Sequence, residues 1–161
     1  MGKEIERKFL VEDSGWRDMV EDSLEFVQGY LSTSPSATVR LRIVKRRSGD
    51  NNAFLTVKGR SAVSGLTRDE WEYPIPVTDA EAMIKGGCIE PDSLIIKTRH
   101  IIDRWEIDEF HGSLEGLVMA EVELCSELEP LPRLPFRGVE VTGDSRYYNS
   151  RLAKEGIPPR N

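Results

Sequence analysis

The sequence predicts a mainly β, α+β fold: a closed eight-stranded antiparallel β-barrel with a few short helices outside it. Three observations carry this. Strand-like patterns recur along the chain with turn residues between most of them, as at Ser48-Gly49-Asp50-Asn51-Asn52. Only three segments read as helical, and all are short. No repeat or linker divides the 161 residues, a length that suffices for one core, so 1–161 is read as a single domain. Closure into a barrel removes the exposed edges of such a sheet.

The elements follow in order. Residues 4–11 form the opening strand; with period two, Glu4, Glu6 and Lys8 face one side while Ile5, Arg7, Phe9 and Val11 face the other. Asp13-Ser14-Gly15 leads into a helical turn or two over 16–20. Strands are expected over 26–32, 38–46 and 53–58, then over 67–77 after a loop with Gly59 and Gly65. Pro74 and Pro76 mark an edge, a bulge or an early end to pairing there. Thr78 is the expected N-cap of a helix through Lys85, with Glu81 completing a capping box, and Gly86-Gly87 stops it. Strands over 94–102, 104–110 and 117–124 come next. A last helix over 146–155 is capped by Asp144 or Ser145 and ended by Gly156 and Pro158.

Bulk composition excludes several classes. The formal net charge is −6, against the basic surface that non-specific nucleic-acid binding requires. The two cysteines, Cys88 and Cys125, show no metal-type spacing, so a reduced, cytoplasmic protein is expected. No signal peptide or membrane-length apolar run is present, and Gly2 lacks the hydroxyl residue at position 6 that myristoylation needs.

Charge is segregated by sign, strand by strand. Arg40 and Arg42 flank Leu41, Glu70 and Glu72 enclose Trp71, Lys97 and Arg99 enclose Thr98, Glu106 and Asp108 enclose Ile107, and Glu121 and Glu123 enclose Val122. Lys58 adds a base to the end of its strand. Residues two apart on one strand face lie about 6.6 Å apart. A like-charge pair at that distance is unfavourable by about 2.5 kcal/mol at an effective dielectric of ~20, against roughly 0.6 in water. Each pair alone fits the solvated side of a half-buried strand. Together, alternating all-base and all-acid strands suit a surface built from separate cationic and anionic patches. Small barrels ordinarily fill their interior with apolar side chains. With the charged faces inside, the lumen is wet: its carboxylates, without Cys or His, suit a hard divalent cation, Mg²⁺ or Mn²⁺, and its Arg and Lys suit phosphate oxygens. That describes a site for a metal-complexed polyphosphate. The apolar exterior then needs cover from the helices or from a second copy of the chain, a homodimer.

The segment EIERKFLV, 4–11, resembles the ExExK signature of the CYTH, or triphosphate tunnel metalloenzyme, superfamily, named for class IV adenylate cyclase and thiamine triphosphatase. The likeness continues through QGYLS at 28–32, VRLRI at 39–43, LTVKG at 55–59, EWEYPI at 70–75, KTRH at 97–100, WEIDEF at 105–110 and AEVEL at 120–124. GDSRYYNSRLA, 143–153, resembles the family's plug-helix region. The resemblance implies an eight-stranded tunnel that holds a triphosphate with one or two metals. It implies that Glu4, Glu6, Glu70, Glu72, Asp108, Glu121 and Glu123 ligate metal directly or through water. Lys8, Arg40, Arg42, Lys58, Arg99 and Arg146 would bind phosphate oxygens. Lys97 matches the lysine that assists the attacking water in related hydrolases, with a second phosphate clamp as its alternative role. Tyr30 is a further lumen candidate. His100 and His111 are expected at the surface, and Trp16, Trp71 and Trp105 on apolar faces.

By this likeness the expected activity is metal-dependent hydrolysis of a triphosphate, inorganic tripolyphosphate first, as in the bacterial tripolyphosphatase-like branch. The alternatives are a class IV adenylate cyclase, or hydrolysis of a nucleoside or thiamine triphosphate. From other classes come a non-catalytic polyphosphate-binding module, against which the many acids argue, and a lipocalin-type barrel with its apolar faces inward.

Overall fold

Because side chains alternate across a strand, the charged residues and the apolar residues between them must face opposite sides of the sheet. In the computed structural model, which describes residues 2–159, the sheet closes with the charged side inward. Met1, Arg160 and Asn161, which the single-domain expectation included, lie outside the described residues. The strands are β1 (Gly2–Val11), β2 (Asp22–Thr33), β3 (Ala37–Lys45), β4 (Asn51–Ser61), β5 (Thr67–Ile75), β6 (Ile95–Ile102), β7 (Trp105–Phe110), β8 (Val118–Glu123) and β9 (Gly138–Glu140). All pair antiparallel in one sheet of order β5-β4-β3-β2-β6-β7-β8-β1-β9, and a β1–β5 pairing closes the first eight into the expected barrel.

Strand β1 makes the closure. Glu6–Leu10 pair with β8 along one edge. The other edge is shared in tandem: Gly2–Ile5 pair with β5, and Phe9–Val11 pair with β9. The short β9 carries no periodic signal and was not expected. Its approach needs glycine, since a Cβ on Gly138 would lie 2.4 Å from the Leu10 carbonyl oxygen.

The outward apolar faces are covered by the chain itself. On one side Phe9, Trp105, Ile107, Ala120 and Val122 pack with Trp16, from a 3₁₀ turn at Gly15–Met19, and with Leu131, Leu134 and Phe136 of the segment after β8. Trp16 and Trp105 are buried, and burial of each such side chain stabilises by roughly 1.5–3 kcal/mol. On the other side Leu41, Ile43 and Ala53 pack under helix α1 (Val77–Lys85) through Ala80, Val77, Met83 and Ile84. Helix α1 begins two residues earlier than a Thr78 cap implies, behind Pro76, and has no side-chain cap bond, so Thr78 is not its N-cap. Proline suits this boundary because its fixed φ and missing N–H cost the first turn nothing. Trp71 is only partly buried.

One end of the lumen is filled. Leu10, Ile95, Phe110 and Met119 continue the inward faces of β1, β6, β7 and β8, and they pack with Leu114, Leu117, Tyr147 and the fully buried Leu152. Leu152 belongs to α2 (Asn149–Glu155), which follows a 3₁₀ turn at Ser145–Tyr147. The expected last helix is thus divided. Asp144 caps the turn by accepting from the Arg146 N–H, and Gly156, at φ 77°, ends α2.

Candidate active site

The inward faces of the strands enclose a cavity of about 630 Å³, counted out to its open mouth and lined by Glu4, Glu6, Lys8, Arg40, Arg42, Lys58, Lys97, Arg99 and Glu121, with Tyr30. Strand register sets these neighbours. Lys8 lies opposite Glu121, Arg99 opposite Asp108, Arg40 opposite Thr56 and Thr56 opposite Glu72. Glu70 and Glu72 reach the lining from the solvent side, with Glu70 at 3.9 Å from Lys58 and Glu72 at 3.7 Å from Arg40. Glu123 is exposed beyond Glu6. These three make an acidic approach to the cavity.

Four cations have close carboxylates. Lys58 Nζ lies 2.8 Å from Glu4 Oε2, Lys8 Nζ 3.3 Å from Glu121 Oε1 and Lys97 Nζ 2.6 Å from Asp108 Oδ2. Arg99 grips Asp108 with Nε at 2.7 Å and Nη2 at 2.8 Å, and donates to Glu106 at 2.8 Å. Both Asp108 oxygens are therefore engaged. Expected with the metal-ligating carboxylates, Asp108 instead sits buried beneath the lining, where it neutralises two bases.

Two arginines are not neutralised in this way. Arg42 donates Nε to Gln28 Oε1 at 2.8 Å and stacks on Phe26, and it has no ion pair among the described residues. Arg40, buried, donates to Thr56 at 3.3 Å while its Nε has no partner. Buried donors are normally satisfied, so an unpartnered guanidinium N–H in a polar cavity is a donor free to meet an anion.

Burial and crowding shift the charges. Burial, Glu121 and Glu4 raise the Glu6 carboxyl well above the usual range. Burial also works against the Glu121 carboxylate, but Lys8, Arg99 and Lys97 outweigh it and hold it well below that range. Asp108 likewise resists burial through Arg99 and Lys97 and falls to about 2. For Lys97, burial prevails, with Arg99 and Arg42 adding to it against Asp108, and its pKa falls to about 7. Burial, then Arg40 and Arg99, lower Arg42 to about 9, which leaves it charged at neutral pH.

The residues fit a hard divalent cation by donor type. Glu4 and Glu6 are adjacent carboxyls inside the cavity, with Glu121 close by, and burial together with their mutual repulsion strengthens the hold of Glu6 on a proton. A cation of charge two would compete with that proton and relieve the repulsion. Among the described residues no three acidic, His or Cys side chains are already gathered at ligand spacing, so the donors are present without a preformed cage.

Arg146 is not brought into the cavity. The 3₁₀ turn points it outward, where its guanidinium pairs with Asp144 at 2.7 Å. The plug segment contributes Tyr148, Asn149 and Ser150 instead. Asn149 Oδ1 accepts from Lys97 Nζ at 2.9 Å and from Gln28 Nε2 at 3.1 Å, which ties Lys97, Arg42 and the start of α2 into one network. Neutral amides carry no charge pattern, so a reading by sign passes over them. Arg68 also lines the cavity; it shares a strand face with Glu70 and Glu72, and this mixture of signs hid it. The two histidines are not free surface groups. His100 bonds Ser23 Oγ at 2.8 Å and Glu109 at 3.0 Å, and His111 bonds Thr98 at 2.7 Å.

Comparison with known proteins agrees with this architecture. A family model described as the CYTH domain matches residues 2–130. An inorganic triphosphatase of Acetivibrio thermocellus is 40% identical over 158 residues, covering 96% of this chain and 95% of that protein. An inorganic triphosphatase of Nitrosomonas europaea is 36% identical over 160 residues, covering 93% and 96%. The crystal structure of the inorganic triphosphatase NE1496 superposes with a TM-score of 0.57 at 34% identity, covering 99% of each chain. The chain belongs to the CYTH domain family.

Proposed function

We propose that this protein is a metal-dependent triphosphatase that hydrolyses inorganic tripolyphosphate to pyrophosphate and phosphate. The observation that carries the reading is the charge imbalance inside the barrel. Arg42 has no carboxylate partner among the described residues, Arg40 reaches Glu72 only at 3.7 Å and its Nε lacks any partner, while Glu4, Glu6 and Glu121 line the same cavity. A metal-complexed polyanion supplies what both halves lack. The relatives named as inorganic triphosphatases support the substrate.

In this reading Arg40, Arg42, Lys8, Lys58 and Arg99 hold phosphate oxygens and orient the chain, which places most of the rate gain in positioning and charge stabilisation. Glu4, Glu6 and Glu121 would hold Mg²⁺ or Mn²⁺, with Glu70, Glu72 and Glu123 as further carboxylates at the approach. A bound cation would supply neutralisation of the phosphate oxygens. Lys97 handles the proton. A neutral amine has two hydrogens and one lone pair; Asp108 and Asn149 accept both hydrogens, so the lone pair takes the remaining direction. With a pKa of about 7, Lys97 is neutral in a large fraction of molecules near pH 7 and accepts a proton from the attacking water. The water oxygen bonds to the terminal phosphorus as the bridging P–O bond breaks in line, and pyrophosphate leaves.

The test is a phosphate-release panel of tripolyphosphate, ATP and thiamine triphosphate with Mg²⁺, Mn²⁺ or a chelator. Fastest release from tripolyphosphate, lost on chelation, is the expected result. Cyclic AMP from ATP, or no release with either metal, overturns the proposal.

A further inference from the structure

We propose that Arg68 forms an outward phosphate subsite, which takes the extra phosphate of a linear polyphosphate longer than the triphosphate seated on Arg40, Arg42 and Lys58. The proposal rests on the reading of the tunnel as a triphosphate site. Arg68 lies opposite Glu4 at the β1–β5 closure and lines the main cavity. It also lines a second cavity, of about 820 Å³ out to its mouth, and the two share Thr38, Tyr148 and Ser150. Arg68 therefore stands where one cavity continues into the other.

Its guanidinium is held yet not neutralised. Nε donates to the Gly59 carbonyl at 2.6 Å, and the group lies over the Tyr148 ring at 5.3 Å. Among the described residues it has no ion pair, and no hydrogen bond uses its two terminal nitrogens. The other cations lining the second cavity differ: Arg151 is paired with Glu155 and Lys154 with Glu90. A fixed, planar, unpaired guanidinium matches two oxygens of one phosphate, and the hydroxyls of Thr38 and Ser150 add polar lining beside it. The chemistry selects a phosphate chain over a nucleoside. The aromatic ring at this junction, Tyr148, already has Lys8 at 5.6 Å and Arg68 at 5.3 Å over it, which leaves a base little to stack on.

The experiment is calorimetric titration of the metal-free protein with tripolyphosphate and with linear tetraphosphate, for the unaltered chain, Arg68→Gln and Arg68→Lys. Loss of one charge-assisted contact corresponds to roughly tenfold in affinity. The ratio of tetraphosphate to tripolyphosphate affinity is expected to fall about that much in Arg68→Gln, and Arg68→Lys to recover part of it, with thermal midpoints unchanged. Equal weakening of both anions, or of neither, overturns the subsite. An unaltered protein that binds neither anion, metal-free or with Mg²⁺ added, removes the triphosphate reading, whereas loss of the expected ratio change alone removes only the subsite, so the two failures are distinguishable. Should Arg68→Gln fail to fold, Arg68→Lys gives the same ratio test, because a point charge cannot reproduce the bidentate grip.

Discussion

The two sides of the lumen solve the same problem differently. Along β1, β6, β7 and β8 each inward cation has a carboxylate within 3.5 Å: Lys8 with Glu121, Lys97 and Arg99 with Asp108, while Lys58 reaches across from β4 to Glu4. Along β3, Arg42 has none, and Arg40 reaches Glu72 only at 3.7 Å. Both sides belong to one sheet with the same alternation, so secondary structure does not explain the contrast. On the paired side carboxylates of the protein already balance the cations that a ligand would meet; on the bare side that balance is left to the ligand. Buried ion pairs add little net stability but are expensive to break, whereas a buried unpaired charge is a liability that removal relieves. Substitutions on the two sides should therefore move stability in opposite directions.

The largest effect is expected from Asp108→Asn. It leaves Lys97 and Arg99 buried together with Glu106 and Glu121 as the remaining nearby carboxylates. A loss of about 3–5 kcal/mol in urea unfolding is expected. Less than about 1 kcal/mol would show that the paired side is no more committed than the bare one. Next is Arg42→Met, of similar length and apolar. Removing a donor to a charged transition state lowers hydrolysis by on the order of a hundredfold, while unfolding free energy stays level or rises by about 1 kcal/mol. A clear drop in stability would mean that the Gln28 bond outweighs the unpaired charge.

Much of this division was legible before folding. Period-two runs of charge, of one sign on most strands, put Glu4, Glu6, Lys8, Arg40, Arg42, Lys58, Arg99 and Glu121 on one inner surface, because register converts spacing into direction. What sign alone cannot show is which acid answers which base. Asp108 reads as one more lumen carboxylate until cross-strand register sets it opposite Arg99. The family resemblance implies a phosphate-binding role for Arg146, but Arg146 donates to Asp144 within a separate 3₁₀ turn, which points its side chain out. Gln28 and Asn149 carry no charge pattern, and Arg68 breaks one. The three residues of β9 are too few for any periodicity.

Between these extremes lies Lys97, on the paired side but with its pKa depressed by burial first and by Arg99 and Arg42 after it. Its folded pKa of about 7 is below the ordinary ammonium value of about 10.4. Between those pH values the unfolded chain binds the extra proton, so stability rises with pH by up to about 1.4 kcal/mol per unit. The contribution is fully present above about 10.4 and is lost as pH falls through 7. Lys8, whose pKa the neighbouring carboxylates Glu121 and Glu6 raise against the effect of burial, titrates above this window. Unfolding free energies at pH 7, 7.5 and 8, below the Arg42 titration at about 9, should show the rise in the unaltered chain and a flatter line in Lys97→Met. Identical slopes would assign the titration to another group.

The smallest expected effect is at Thr56, a side chain that links the bare side to the acidic approach. Its buried hydroxyl accepts from Arg40 Nη2 at 3.3 Å and donates to Glu72 Oε2 at 2.9 Å. Thr56→Val keeps the shape and β-branching and removes only that bridge. Glu72 is exposed and recovers its bond from water; Arg40 loses a long contact and keeps its open cavity. The change should therefore approach one ordinary hydrogen bond, about 1 kcal/mol in urea unfolding, with tripolyphosphate affinity changed less than about threefold. If Thr56→Val instead destabilised the fold as much as Asp108→Asn, Arg40 would depend on Glu72 as Arg99 depends on Asp108, and the bare side would be a paired side bridged by a hydroxyl.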